Sequence, residues 1–175
     1  MYLMEVSISE NVKLGIEKYD SSNLNLNRLI LWVWYADKIP PHVGVSFNFK
    51  YFSLKATGKD ELIELDGVLN LLNKKKITTL GFELLMDSSL QKIENVYSNY
   101  STTIPNDVTC LNPIKEILDV FEVTKLRELL SALNDKSQIN KVIGFNVDES
   151  FKGIVNYNVN DIHSRLKKLD FAKGK

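Results

Sequence analysis

Cysteine is nearly absent: Cys110 is the only one in 175 residues. A single thiol excludes an intramolecular disulfide framework and any multi-thiolate metal site, and it suits a reducing compartment. Histidine is almost as scarce. With only His42 and His163 available, a zinc site would need carboxylates to complete it, and no metal centre is expected. The chain also lacks net charge, since 22 Lys and Arg balance 22 Asp and Glu. No whole-molecule field therefore draws it to nucleic acid or an anionic membrane. The lysine-rich spots are scattered without interleaved aromatics, so no nucleic-acid groove is indicated.

Long apolar runs are missing as well. The most apolar stretch, Leu29 to Ala36, is far too short to span a bilayer. Met1 to Glu10 has no basic start followed by an apolar core, so no secretory signal is expected and a cytoplasmic location follows. There is no glycine-rich phosphate loop, Walker motif or dinucleotide fingerprint, and no cofactor is expected.

What remains is an ordinary globular composition, 44% hydrophobic and 25% charged, which is enough for one substantial core. No linker, repeat or low-complexity tract interrupts it, so a single domain over 1–175 is expected. Val12, Leu14 and Ile16 alternate with Lys13, Gly15 and Glu17, predicting a strand with one wet face. Asp20, Ser21, Ser22 and Asn23 then offer helix caps. Leu26, Leu29, Ile30, Val33 and Trp34 predict a helix over 24–37, although Trp32 and Tyr35 also suit a strand. Trp32, Trp34 and Tyr35 could line a pocket, but aromatics in an apolar segment more often belong to the core.

The cleanest pattern follows Pro40 and Pro41: Val43, Val45, Phe47 and Phe49 on one face, His42, Gly44, Ser46 and Asn48 on the other. It predicts a strand, a tight turn at 48–50 and a second strand over 51–56, with a loop at 57–60. Asp66 is expected to cap a short helix ending before Lys74, Lys75 and Lys76, whose charge suits a helix C-terminus. A strand over 77–85 and a helix capped by Asp87, lined by Leu90, Ile93, Tyr97 and Tyr100, come next. Beyond the loop 101–109 a helix carries Ile114, Ile117, Leu118 and Phe121, and another carries Leu126, Leu129, Leu130 and Leu133. Two strands, 142–147 and 154–159, precede a last helix capped by Asn160. Strands and helices interleave too irregularly for a doubly wound sheet, so the expected class is α+β with a mainly antiparallel sheet.

Cys110 stands where a helix should begin, a placement supported by Pro113 in the first turn. His42 opens the strongest strand. Helix starts and strand starts are where catalytic groups gather at one edge of a sheet, and a helix start with a neighbouring imidazole is expected to lower a thiol pKa. The bland alternative is that Cys110, Ile114, Ile117 and Phe121 form one stripe and the cysteine is a small core residue. His163, in the first turn of a charged helix, reads as exposed. Asp119, Glu122 and Glu128 fall on the solvent side of their helices.

Pro41-His42-Val43-Gly44-Val45-Ser46-Phe47, a short turn, then Tyr51-Phe52-Ser53-Leu54 resembles the histidine hairpin of the circularly permuted papain-like superfamily, which includes lecithin retinol acyltransferase and the PPPDE isopeptidases. In that group the histidine opens a strand and the cysteine follows later at a helix start, as Cys110 does here. The resemblance implies a papain-like core over about 12–121 with a helix-hairpin-helix extension over 123–175. It implies nucleophilic acyl transfer on a peptide, isopeptide, amide or lipid ester bond, with Cys110 as nucleophile and His42 as base. Ser53 occupies the place of the polar residue that orients the imidazole, though a serine carries no charge to stabilise imidazolium. Thr109 stands where members often have asparagine. The rival class is a non-catalytic adaptor or immunity-type module that uses the same fold to bind one protein partner.

Overall fold

The alternation at Val43, Val45 and Phe47 forms β4 (His42–Phe47), and the turn beside it takes a tight left-handed path, with Asn48 at φ 48° and Phe49 at φ 62°. The computed structural model describes residues 2–9, 11–20 and 22–173; Ser21, one of the expected caps, lies outside them. Around β4 the chain builds one eight-stranded sheet. Its strands are β1 (Tyr2–Ser7), β2 (Lys13–Lys18), β3 (Ile30–Trp34), β4, β5 (Lys50–Lys55), β6 (Gly58–Glu64), β7 (Thr79–Leu84) and β8 (Ile139–Phe145), in the order β1-β2-β8-β7-β3-β4-β5-β6. Every pairing is antiparallel except that of β2 with β8. This is an α+β fold with a mainly antiparallel sheet.

Helix α1 (Leu65–Lys74) covers one face, and α2 (Leu90–Ser98), α3 (Leu111–Leu118), α4 (Leu126–Asp135) and α5 (Val159–Lys173) gather on the other. Two cores result, because successive strand residues point to opposite faces. Leu31, Val33, Val43, Val45, Phe52 and Leu54 meet α2 to α5, whereas Ile30, Trp32, Tyr51 and Ile143 meet Leu65, Leu69 and Leu72 of α1. Gly81 is required by this packing: a Cβ there would stand 2.8 Å from the Trp32 ring.

Three expectations of secondary structure fail. Residues 24–37 hold no helix; they lead into β3, whose first four residues are buried. A central strand buried on both faces has no polar face to alternate, so its apolar run mimics helical spacing. The loop expected at 57–60 instead opens the edge strand β6, which carries the polar run Gly58-Lys59-Asp60-Glu61. The second strand expected at 154–159 does not form, and near it only Gly153 makes an isolated bridge, to Ser7. The helix-hairpin-helix extension is therefore absent: β8 pairs with β2 and β7 inside the main sheet.

Caps also differ in detail. Ser89, not Asp87, caps α2, accepting a hydrogen bond from the Lys92 N–H. Asp66 sits in the first turn of α1, where its charge suits the helix dipole, while Glu64 holds the cap position without a side-chain bond. Asn158 and Asp161, not Asn160, exchange reciprocal hydrogen bonds at the start of α5.

Candidate active site

At one end of the sheet, the β4–β5 ladder stops at Gly44↔Ser53. Beyond that rung the strands part, and a cavity of about 910 Å³ opens between the β3–β4 loop, the β5–β6 turn, the start of α3 and the length of α5. Both His42 and Cys110 line it. Ile162, Leu166 and Leu169 supply an apolar wall from α5. The helix is held in place by its own hydrogen bonds: the Asn106 N–H donates to Nδ1 of His163 at 2.9 Å, and the Leu126 N–H donates to the Tyr157 hydroxyl at 3.1 Å. His163, expected to be exposed, is thus a half-buried anchor.

Cys110 directly precedes α3, as expected, in a helical conformation with φ −61° and ψ −15°. Thr109 does the capping, its Oγ1 accepting from the Leu111 N–H at 3.2 Å. Asn112 reaches back to accept from both the N–H and the hydroxyl of Thr109 at 2.9 and 3.0 Å. The residues before the cysteine are thereby locked without the asparagine that the resemblance leads one to expect at Thr109. The backbone amides of Cys110 itself and of Val43 on β4 lie near enough to the sulfur to favour its ionised form. Val43 lies beyond the last β4–β5 rung.

The electrostatics run against expectation. Burial pushes the Cys110 thiol above its ordinary value, and the Val43 and Cys110 amides only partly offset this. Desolvation of a thiolate outweighs the favourable helix start. Burial likewise pushes His42 down, to about 4, with Asp60 raising it and Lys55 lowering it. At neutral pH the resting pair is thiol and neutral imidazole, not an ion pair.

Nor does a hydrogen bond join them. The Val43 amide, which follows His42 in the chain, lies near the sulfur. The imidazole, however, stands on the α1 side of the strand, edge-on to Trp34 with ring centroids 5.7 Å apart. Trp34 in turn stacks on Tyr51 at 5.4 Å. Nε2 of His42 is buried without a partner, as are Nε1 of Trp34 and Oγ1 of Thr103, both on residues of the same cavity wall. Ser53 is fully buried on that side, and its hydroxyl donates to Asp60 at 2.8 Å.

Sequence reasoning passed over Asp60, Thr103 and the α5 wall; Trp34 and Tyr35, weighed as pocket residues, do line the cavity. Only Asp60 had a local signal, being a carboxylate in a short polar run; the others gain meaning from the tertiary structure. Among the described residues no three His, Cys, Asp or Glu side chains gather into a set that could hold a metal ion, and no helix is long and apolar enough to cross a membrane. Compared with known proteins, the chain matches no family model, no curated protein and no solved structure.

Proposed function

We propose that this protein is a thiol-dependent acyl-transfer enzyme, a hydrolase or acyltransferase of the permuted papain-like type, that works on a peptide, amide or ester carbonyl held in the α5-walled cavity. The observation that carries the reading is the placement of Cys110 directly before α3 in a cavity that His42 also lines, with the backbone amides of Cys110 and Val43 beside its sulfur. Amides beside a reacting centre stabilise negative charge that develops there. The cavity is large enough for an extended apolar substrate.

With both partners neutral at rest, the chemistry is general-base catalysis. His42 takes the S–H proton by way of one bridging water in the cavity while the sulfur attacks the carbonyl carbon. The new oxyanion draws on the Val43 and Cys110 amides. Collapse breaks the C–N or C–O bond, the leaving group takes the proton from His42, and a thioester remains on Cys110. Water or an acceptor nucleophile, deprotonated by His42, then releases the acyl group and restores the thiol. A reducing, cytoplasmic setting keeps such a thiol free.

A second reading, a binding module without catalysis, is favoured by the raised thiol pKa and by the separation of His42 from Cys110. One experiment separates the two. Incubation with activated p-nitrophenyl esters, followed by mass spectrometry of the intact chain, should show one acyl adduct on Cys110, lost in Cys110→Ala and formed at least tenfold more slowly in His42→Ala. A native thiol that accepts no acyl group, or one that acylates equally fast without His42, leaves the binding module as the better reading.

A further inference from the structure

We propose that Asp60 is the positioning residue for His42, acting across Ser53 from the neighbouring strand. This rests on the acyl-transfer reading. Gly44, Ser53 and Asp60 form one continuous rung across β4, β5 and β6. His42 lies two residues along from Gly44 and so shares its face of the sheet with Ser53. The Ser53 hydroxyl, fully buried, has turned its proton to Asp60 Oδ2 at 2.8 Å, and Lys55 Nζ reaches Oδ1 at 2.5 Å. The hydroxyl oxygen keeps its lone pairs for a donor, and among the described residues the buried polar atoms on this face that lack a partner include Nε2 of His42 and the Tyr51 hydroxyl, the latter beside Ser53.

Gly44 makes room for this arrangement. A Cβ there would lie 2.3 Å from the Tyr51 hydroxyl and 2.7 Å from the Phe52 carbonyl oxygen, so a side chain on the rung would collide with Tyr51 and with backbone. Trp34 supports the imidazole from the side and is itself stacked on Tyr51. A carboxylate on the far side of Ser53 favours the tautomer with its proton on Nε2. That leaves Nδ1, the nitrogen that is not buried, with its lone pair for the thiol. Ser53 alone has no charge with which to do this; Asp60 supplies it.

The charged groups around His42 are few. On its own side of the sheet stand Lys55 and Asp60, joined to each other. Across the cavity, Lys38 extends from the β3–β4 loop, Cys110 from α3, and Asp161, Arg165 and Lys168 from α5. Removing Asp60 or Lys55 therefore perturbs His42 in opposite senses.

Imidazole 15N NMR tests this directly, because the chain has two histidines and His163→Gln assigns both signals. The wild type should hold His42 as the Nε2–H tautomer at neutral pH. Asp60→Asn should shift the population toward Nδ1–H and lower the His42 pKa, while Lys55→Met should raise that pKa by about one unit. Acylation of Cys110 should slow in Asp60→Asn and hold or quicken in Lys55→Met. If Asp60→Asn does not yield folded protein, the Lys55→Met shift alone decides. An unchanged tautomer in Asp60→Asn, or an unshifted His42 in Lys55→Met, overturns the assignment even when Cys110 is reactive. Shifts of the expected sign beside an inert Cys110 uphold the His42–Asp60 coupling and overturn the catalytic reading alone.

Discussion

The two ends of the β4–β5 hairpin are built from the same two strands and could hardly differ more. At the turn, Phe47 pairs with Lys50, Lys50 forms an ion pair with Glu64 on β6, and the Phe49 carbonyl accepts from the Leu65 N–H that opens α1. Nearby, Trp32 is completely buried and its indole N–H donates to Ser46 at 2.8 Å. At the far end the ladder stops early, the strands separate, and Trp34, His42 and Thr103 each bury a polar atom without a partner. Buried polar groups are nearly always satisfied, so these three are exceptions, and all of them lie on residues of the cavity wall. One end is tied down by pairing and packing, and the other opens onto the cavity.

The largest expected effect tests the first half of that contrast. Trp32→Ala should cost about 3–5 kcal/mol in urea unfolding, because it leaves a large cavity on the α1 side and strips Ser46 of its donor. A cost near 1 kcal/mol would mean that the turn end is no better packed than the site.

His42 sets the next effect. Its folded pKa, about 4, lies below the unfolded value of about 6.5, so the unfolded chain binds the extra proton first. The stabilisation from a neutral His42 is fully present above pH 6.5 and is lost as the pH falls toward 4, by about 3 kcal/mol at most. Comparing His42→Gln with wild type across that window should show the variant losing less stability in acid. Parallel curves would show that His42 is better solvated than its place in the wall implies.

A smaller effect of opposite pH sense belongs to Cys110. Its raised pKa means that the folded thiol resists ionisation, so its contribution holds below the unfolded value of about 8.5 and declines as the pH rises past it. Cys110→Ala should flatten the alkaline limb of the stability curve while changing stability at neutral pH by only about 1 kcal/mol. A steeper alkaline limb in the variant would contradict this. The smallest effect concerns the α5 wall. His163→Ala removes the acceptor for the Asn106 N–H and should cost about 0.5–1 kcal/mol, seen as faster amide exchange confined to α5 and the 104–108 loop.

Local pattern was sufficient where polar and apolar residue types alternate along a strand or recur at helical spacing. Alternation marked the His42 hairpin, and the stripe Ile114, Ile117, Leu118 after Pro113 placed Cys110 at a helix start; both stand in the structure. Pattern failed where one class of residue runs unbroken, apolar in β3 and polar in the first half of β6. β3 is covered on both faces and read as a helix, and β6 runs along an edge with so many polar residues that it read as a loop.

The sequence by itself determined the α+β class, the hairpin, the helix that begins after Cys110 and the scarcity of groups able to do chemistry, because these depend on residue identity and short-range periodicity. Only the tertiary structure decided that β8 joins the centre of the sheet, that α5 walls the cavity, that Asp60 lies across Ser53 from β4, and that the thiol is pushed up when its helix start should pull it down. Desolvation depends on everything packed around a group, and no spacing of residues along the chain encodes it.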